Sequence, residues 1–218
     1  MMNRRTFLRQ AAGLLAGVSG SISRGLGGLQ EVWGKTISKI LPRGTRLETL
    51  VNENPAWIDA RNLEIQPLEK FGTMGLSDHV TDLSAWRLTV SGEVKKSLSL
   101  TYDQIRNLPG IEKPVLLICP GFFANHGRWK GFSLIELAKP AGLKKGVHFV
   151  DISGPAGPYE KTGRFPLKEI QSAKIFLAYQ VNGEPLTPKH GFPLRLVAEG
   201  YYGYEWIKYV DKIQFERL

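Results

Sequence analysis

One cysteine, Cys119, stands at the end of the apolar run Val115-Leu116-Leu117-Ile118 and is followed at once by Pro120-Gly121. The run suits a strand buried on both faces, and the Pro-Gly pair breaks it, so the thiol rides at the end of a rigid element. A lone thiol has two readings: a small buried hydrophobe, or a group occupied by chemistry. As a thiolate it is a soft ligand, and one protein ligand leaves a metal's other positions to be filled from elsewhere. Several familiar sites are excluded. Cys119 and the histidines His79, His126, His148 and His190 show no zinc-type spacing. The sequence has no G-x-S-x-G elbow, no phosphate-binding P-loop, no G-x-G-x-x-G after a strand and no C-x-x-C-H haem attachment. With so few protein ligands in view, a metal at Cys119 calls for an organic cofactor that brings its own sulfur donors.

The first residues point the same way. Arg4-Arg5 precedes Phe7-Leu8, and a soft Ala/Gly/Leu-rich run extends from Ala11 to Gly20. This is the layout of a twin-arginine export signal, which carries folded cargo, and a cofactor loaded in the cytoplasm is the usual reason to fold first. An ordinary secretory signal is the alternative. No apolar run approaches the ~18–20 residues that span a bilayer. Residues 1–30 are expected to be the signal, 31–60 a linker punctuated by Pro42 and Gly44, and 61–218 one domain. Val18-Ser19-Gly20 is a weak cleavage signal. The expected location is the periplasm.

The whole chain has 218 residues, 42% hydrophobic and 22% charged, which suits one globular domain with a proper core. Its formal charge of +9 includes four arginines of the signal. No basic run interleaves with aromatics, so nucleic acid is not an expected partner, and a mild field favouring an anionic ligand is the simpler reading.

The elements that must position Cys119 are mostly strands. Trp86, Leu88 and Val90 alternate with polar residues, and Val147–Ile152, Ile175–Val181, Phe192–Val197 and Ile207–Phe215 read as further strands, with Asn182-Gly183 as a hairpin turn. Thr101–Gln104 and Ser133–Glu136 fit capping boxes that open short helices. The expected fold is α+β: mostly β mixed sheets with short helices at the periphery.

Two stretches then carry a resemblance. Cys119-Pro120-Gly121-Phe122-Phe123 with Arg128-Trp129-Lys130-Gly131, and Asn182-Gly183-Glu184-Pro185-Leu186 with His190-Gly191-Phe192-Pro193-Leu194-Arg195, resemble the cysteine segment and the "NG-x-PL … HG-x-P-x-R" signature of the sulfite oxidase superfamily. Gly203 and Ile207-Lys208 match the end of the same block. The resemblance runs from about Leu63 to the C-terminus.

It implies a molybdenum–molybdopterin oxidoreductase in which the Cys119 thiolate is the only protein ligand to molybdenum. His190, Arg195 and Lys208 would hold the pterin and its phosphate through charge-assisted bonds. Gln66 falls where the periplasmic methionine sulfoxide reductase branch has Asn, Glu69 and Lys70 follow in a pterin-contacting turn, and Ser153 sits where a Thr contacts the cofactor. Judged singly, His190 could cap a turn, Arg195 could be a surface ion pair and Lys208 a solvated strand residue. Their joint spacing after Asn182-Gly183 is what assigns them. Arg128 could bind an oxyanion substrate in a catalytic role or merely stack on Trp129. Asn125 and His126 flank the presumed metal pocket.

The paired arginines that sulfite oxidases keep shortly after the cysteine are replaced here by Phe122, Phe123 and Ala124. An apolar wall favours a neutral sulfoxide over doubly charged sulfite, which needs compensating cations. The expected activity is two-electron oxygen-atom transfer on a small-molecule or protein-bound S-oxide, with electrons from a separate membrane haem protein or cytochrome. A sulfite dehydrogenase is the alternative within the superfamily, and a catalytically idle binding module the alternative outside it.

Overall fold

In the computed structural model, residues 38–217 are described. The twin-arginine signal and the first part of the expected linker lie outside them. In chain order the strands and helices are β1 Lys39–Ile40, β2 Ile58–Asp59, β3 Leu88–Gly92, β4 Leu98–Leu100, α1 Tyr102–Arg106, β5 Gly110–Cys119, β6 Phe123–Phe132 and α2 Ile135–Ala141. The second half adds β7 Phe149–Ser153, β8 Thr162–Pro166, α3 Leu167–Gln171, β9 Ile175–Val181, β10 Glu184–Pro185, β11 Arg195–Ala198 and β12 Lys212–Glu216.

They form two five-stranded sheets and a small parallel β1–β2 pair. One sheet is antiparallel in the order β10-β9-β6-β5, with β11 also paired to β9. The other runs β4-β3-β12-β7-β8, where only β12 and β3 are parallel. Mixed sheets with short helices are the expected architecture. The hairpin β9–β10 turns on Asn182 and Gly183, whose φ of 55° and 86° suit the tight turn that this dipeptide favours.

Strand periodicity explains how β5 carries Cys119. Val115 and Leu117 enter the main core, with Trp129, Phe132 and Phe176, while Leu116 and Ile118 enter a second, smaller core. Alternation therefore turns Cys119 to the side of Val115 and Leu117. The second core is closed by Leu41, Leu50 and Leu63. Residues 38–60, expected as a linker, are thus corrected: they form a packed strap, with Leu41 and Leu50 only 2% and 3% exposed. The strap also reaches the cysteine's turn, where Gly121 N donates to Val51 O at 3.0 Å.

Two local expectations resolve differently. At α1 the Thr101–Gln104 box forms in both directions, at 3.3 and 2.8 Å. Before α2 it does not: Leu134 is already helical, and Ser133 Oγ accepts only from Ile135 N at 3.3 Å. The last strand begins at Lys212 rather than Ile207, because residues 206–210 leave the sheet to wall the cavity described next, where Leu196 N donates to Ile207 O and Val210 N to Leu194 O.

Candidate active site

Cys119, at the C-terminal end of β5, opens onto a cavity of about 340 Å³. Its walls come from five places: the ends of β5 and β6, the segment 71–76, the loop between β7 and β8, the turn at Pro188–His190 leading into β11, and residues 203–209. The thiol is 6% exposed, and its Sγ lies 3.8 Å from Met74 Sδ. Burial pushes the thiol up, with the Lys161 ammonium pulling the other way. Met74 is held over it by backbone bonds. Asn125 clamps Gly72 through both Gly72 N to Oδ1 at 2.9 Å and Nδ2 to Gly72 O at 2.8 Å. Farther along, the Lys208 ammonium donates to Met74 O and Leu76 O at 2.8 and 2.9 Å. A Cβ at Gly72 would overlap the Phe123 ring, so any side chain there forces that ring to move.

Another part of the lining is cationic and short of partners. Arg195 is buried, its guanidinium carbon 4.9 Å from the Trp129 ring centroid and 5.5 Å from that of Trp206. Nη1 donates to His190 O at 2.9 Å, and Nε has no partner. None of the ion pairs among the described residues includes Arg195. Burial holds it well below the ordinary guanidinium value, at about 10, so it remains charged at neutral pH. The His190 ring pairs through Nδ1 with Thr187 Oγ1 at 2.8 Å, while Nε2 is buried without a partner. Burial, then the charges of Arg195, Lys189 and Lys208, push it down to about 4, which leaves it neutral. Burial, then Arg195 and Lys189, lower Lys208 to about 8. Lys161 donates to Trp206 O at 2.9 Å and to Tyr204 O.

Two unpartnered buried nitrogens beside several cations are costly in an empty cavity and complementary to a buried anion. A phosphate-bearing pterin fits that lining, and a thiol in the same cavity fits a soft metal. No three His, Cys, Asp or Glu side chains gather into a metal cluster among the described residues, so other metal donors would come from the cofactor itself.

The structure therefore brings Cys119, His190, Arg195 and Lys208 to one cavity. The other expected site residues stand elsewhere. Arg128 is exposed on the face of β6 opposite buried Trp129, since neighbours on a strand point to opposite sides. This corrects its expected catalytic place. Glu69 and Lys70 are exposed on the turn Leu68–Lys70 and do not line the cavity. Gln66 does not line the cavity: its N donates to His126 O on β6 and Nε2 to Lys70 O, while Oε1 is buried without a partner. Ser153, at the end of β7, pairs with Thr162 Oγ1 at 2.9 Å behind the wall. Asn182 explains part of that support: its side chain donates to Gln66 O and accepts from Arg128 N, tying the loop to the hairpin. His126 is buried against Glu64 O and does not line the cavity. Sequence reasoning missed Lys161 and Met74. Neither lies in a motif, and each arrives on a loop whose path depends on distant pairings.

A comparison with family models matches residues 75–217 to the oxidoreductase molybdopterin binding domain. The chain belongs to this family. It is a molybdopterin-binding oxidoreductase domain, as the resemblance to the sulfite oxidase superfamily implied. Among similar proteins, the uncharacterized oxidoreductase YuiH of Bacillus subtilis is 32% identical over 137 residues, 62% of this chain and 68% of that one. The NADH nitrate reductase of Solanum lycopersicum is 34% identical over 160 residues, 60% of this chain but only 18% of the reductase. In fold, the chain is similar to the sulfane dehydrogenase SoxCD from Paracoccus pantotrophus, with a TM-score of 0.59 and 18% identity over 94% of this chain and 56% of that one.

Proposed function

We propose that this domain holds a molybdenum–molybdopterin cofactor through Cys119 and reduces S-oxides. The observation that carries the reading is the pairing, in one cavity, of a buried thiol with a wall of unanswered positive charge. Arg195 and His190 would take the cofactor's anionic end, and Cys119 its metal. When bound, the cofactor would supply two-electron oxygen-atom transfer, the chemistry that side chains lack. A sulfoxide, two electrons and two protons would give a thioether and water, the electrons coming from a separate reduced haem protein. The chain's own contribution is positioning. Leu117, Phe123, Leu76 and Trp206 give the cavity an apolar lining that suits a neutral S=O compound, whose desolvation is cheaper than that of a dianion. Phe122, expected in that lining, is instead 70% exposed outside it.

A second reading, sulfite oxidation, draws support from Lys161, Lys189 and Lys208 around the same space. One experiment separates the two. Protein matured in a host that makes the cofactor is analysed for molybdenum and pterin, then assayed on methionine sulfoxide with an artificial donor and on sulfite with an artificial acceptor. Stoichiometric metal and faster sulfoxide turnover are expected. A sulfite rate more than about tenfold higher, roughly 1.4 kcal/mol in the barrier, overturns the substrate choice. Absence of metal would leave only a binding module. Twin-arginine export to the periplasm belongs to the same proposal, and Arg4→Lys/Arg5→Lys should hold the loaded protein in the cytoplasm; normal periplasmic accumulation refutes it.

A further inference from the structure

The oxygen-binding role expected of Arg128 needs another owner, because that side chain lies on the outer face of β6. We propose that Lys161 is the substrate-facing cation of the cavity, giving an N–H to the oxygen of the S=O substrate beside Cys119. The inference rests on the S-oxide reading above and names the residue that would recognise that group.

Lys161 and Lys208 each keep one N–H to spare, and the resemblance gives Lys208 to the cofactor, which leaves Lys161 for substrate. Arg195 is clamped between two indoles with Nη1 committed to His190 O, and Lys208 spends two of its N–H groups on the carbonyls of Met74 and Leu76. Lys161 comes from a different element, the loop joining β7 to β8, whose base is closed by Gly154 N donating to Lys161 O at 3.0 Å. Its ammonium is moored to two carbonyls, Tyr204 O and Trp206 O, on the stretch that walls the cavity. An ammonium has three N–H groups, so one remains, and the two moorings fix its direction where a free surface lysine would swing. The stretch that moors it runs beside the thiol's strand: Tyr202 bridges Ile118 and Gly203 lies against Leu117, the two residues before Cys119. The cavity thus offers His190 and Arg195 to the cofactor's anion and Lys161, beside the end of β5, to substrate oxygen. An apolar lining with one fixed donor is the pattern that orients a small neutral oxo compound.

The test uses oxidised, cofactor-loaded protein without an electron donor, so that no probe is turned over, with dimethyl sulfone as a neutral S=O probe and inorganic sulfate as an oxyanion probe. Calorimetric affinities are compared in wild type, Lys161→Met and Lys161→Arg, alongside molybdenum and pterin content. Lys161→Met should weaken sulfone binding at least tenfold and lower kcat/KM on methionine sulfoxide at least fiftyfold, with metal and pterin unchanged. Lys161→Arg, which keeps a donor, should recover most of the sulfone affinity. Weakened sulfate binding with no sulfone binding in wild type would keep Lys161 as the oxygen-facing cation and sink the S-oxide reading alone. Unchanged affinity for both probes, no binding of either by wild type, or loss of pterin in Lys161→Met would overturn the assignment.

Discussion

Replacing Arg195 by methionine separates what the residue does for the fold from what it does for the ligand. Its guanidinium is 7% exposed and held well below its ordinary value, at about 10. At roughly 1.4 kcal/mol per tenfold, keeping the charge in the folded, cofactor-free domain costs about 3 kcal/mol. Against this stand two desolvated indole faces, worth about 1–2 kcal/mol each, and one charge-assisted bond to His190 O, worth about 1.5–3 kcal/mol. The favourable contributions exceed the cost by about 0.5–4 kcal/mol. Methionine fills similar volume without charge, so Arg195→Met should weaken the empty domain by no more than about 4 kcal/mol. Pterin retention should fall at least 100-fold, about 2.7 kcal/mol, because the anion loses its buried counter-charge. Denaturant unfolding of cofactor-free protein reads the first quantity, and pterin released from protein matured at limiting cofactor reads the second. Unaltered pterin content, or an empty domain weakened by more than about 4 kcal/mol, would show that Arg195 serves the fold instead.

Acid should weaken the empty domain through His190: the unfolded imidazole takes a proton near pH 6.5 and the folded one only near 4, so the unfolded state binds more protons in that window. Stability is therefore full above about pH 6.5 and declines by about 3 kcal/mol towards pH 4, and His190→Gln should flatten that part of a pH series of urea midpoints. Gly72→Ala forces a methyl into the Phe123 ring and should cost about 1–3 kcal/mol, recovered in part when Phe123→Leu makes room; a thermal midpoint equal to wild type refutes the close contact. Cys119→Ser should lose molybdenum in elemental analysis and leave the unfolding midpoint nearly unchanged, since a hydroxyl replaces a thiol of similar size but is a poor ligand for a soft metal.

What was legible in the sequence is what depends on local pattern. The run Val115–Cys119, the strand Ile175–Val181, the Asn182-Gly183 turn and the Thr101 capping box are each set by neighbours a few residues apart, and each forms. His190, Arg195 and Lys208 were assigned by resemblance and meet at one cavity, although 18 residues separate the first from the last. The misplaced residues fail for a shared reason. Arg128, Ser153 and Gln66 sit within a residue or a turn of the wall, and strand parity or a side-chain bond to the backbone decides which neighbour faces inward. Lys161 and Met74 were invisible because loop paths, unlike strands, are set by contacts such as Asn125 with Gly72 that span 53 residues.

The strap before the family match has a mechanical consequence. Leu41 and Leu50 grip the outer face of β5, and Val51 is bonded to the turn that follows Cys119, so these residues have no slack to give. Tension applied at residue 38 would be delivered to the cysteine's own turn rather than absorbed on the way. A fragment cut at residue 61 would lose that bracing and leave Leu116 and Ile118 facing water.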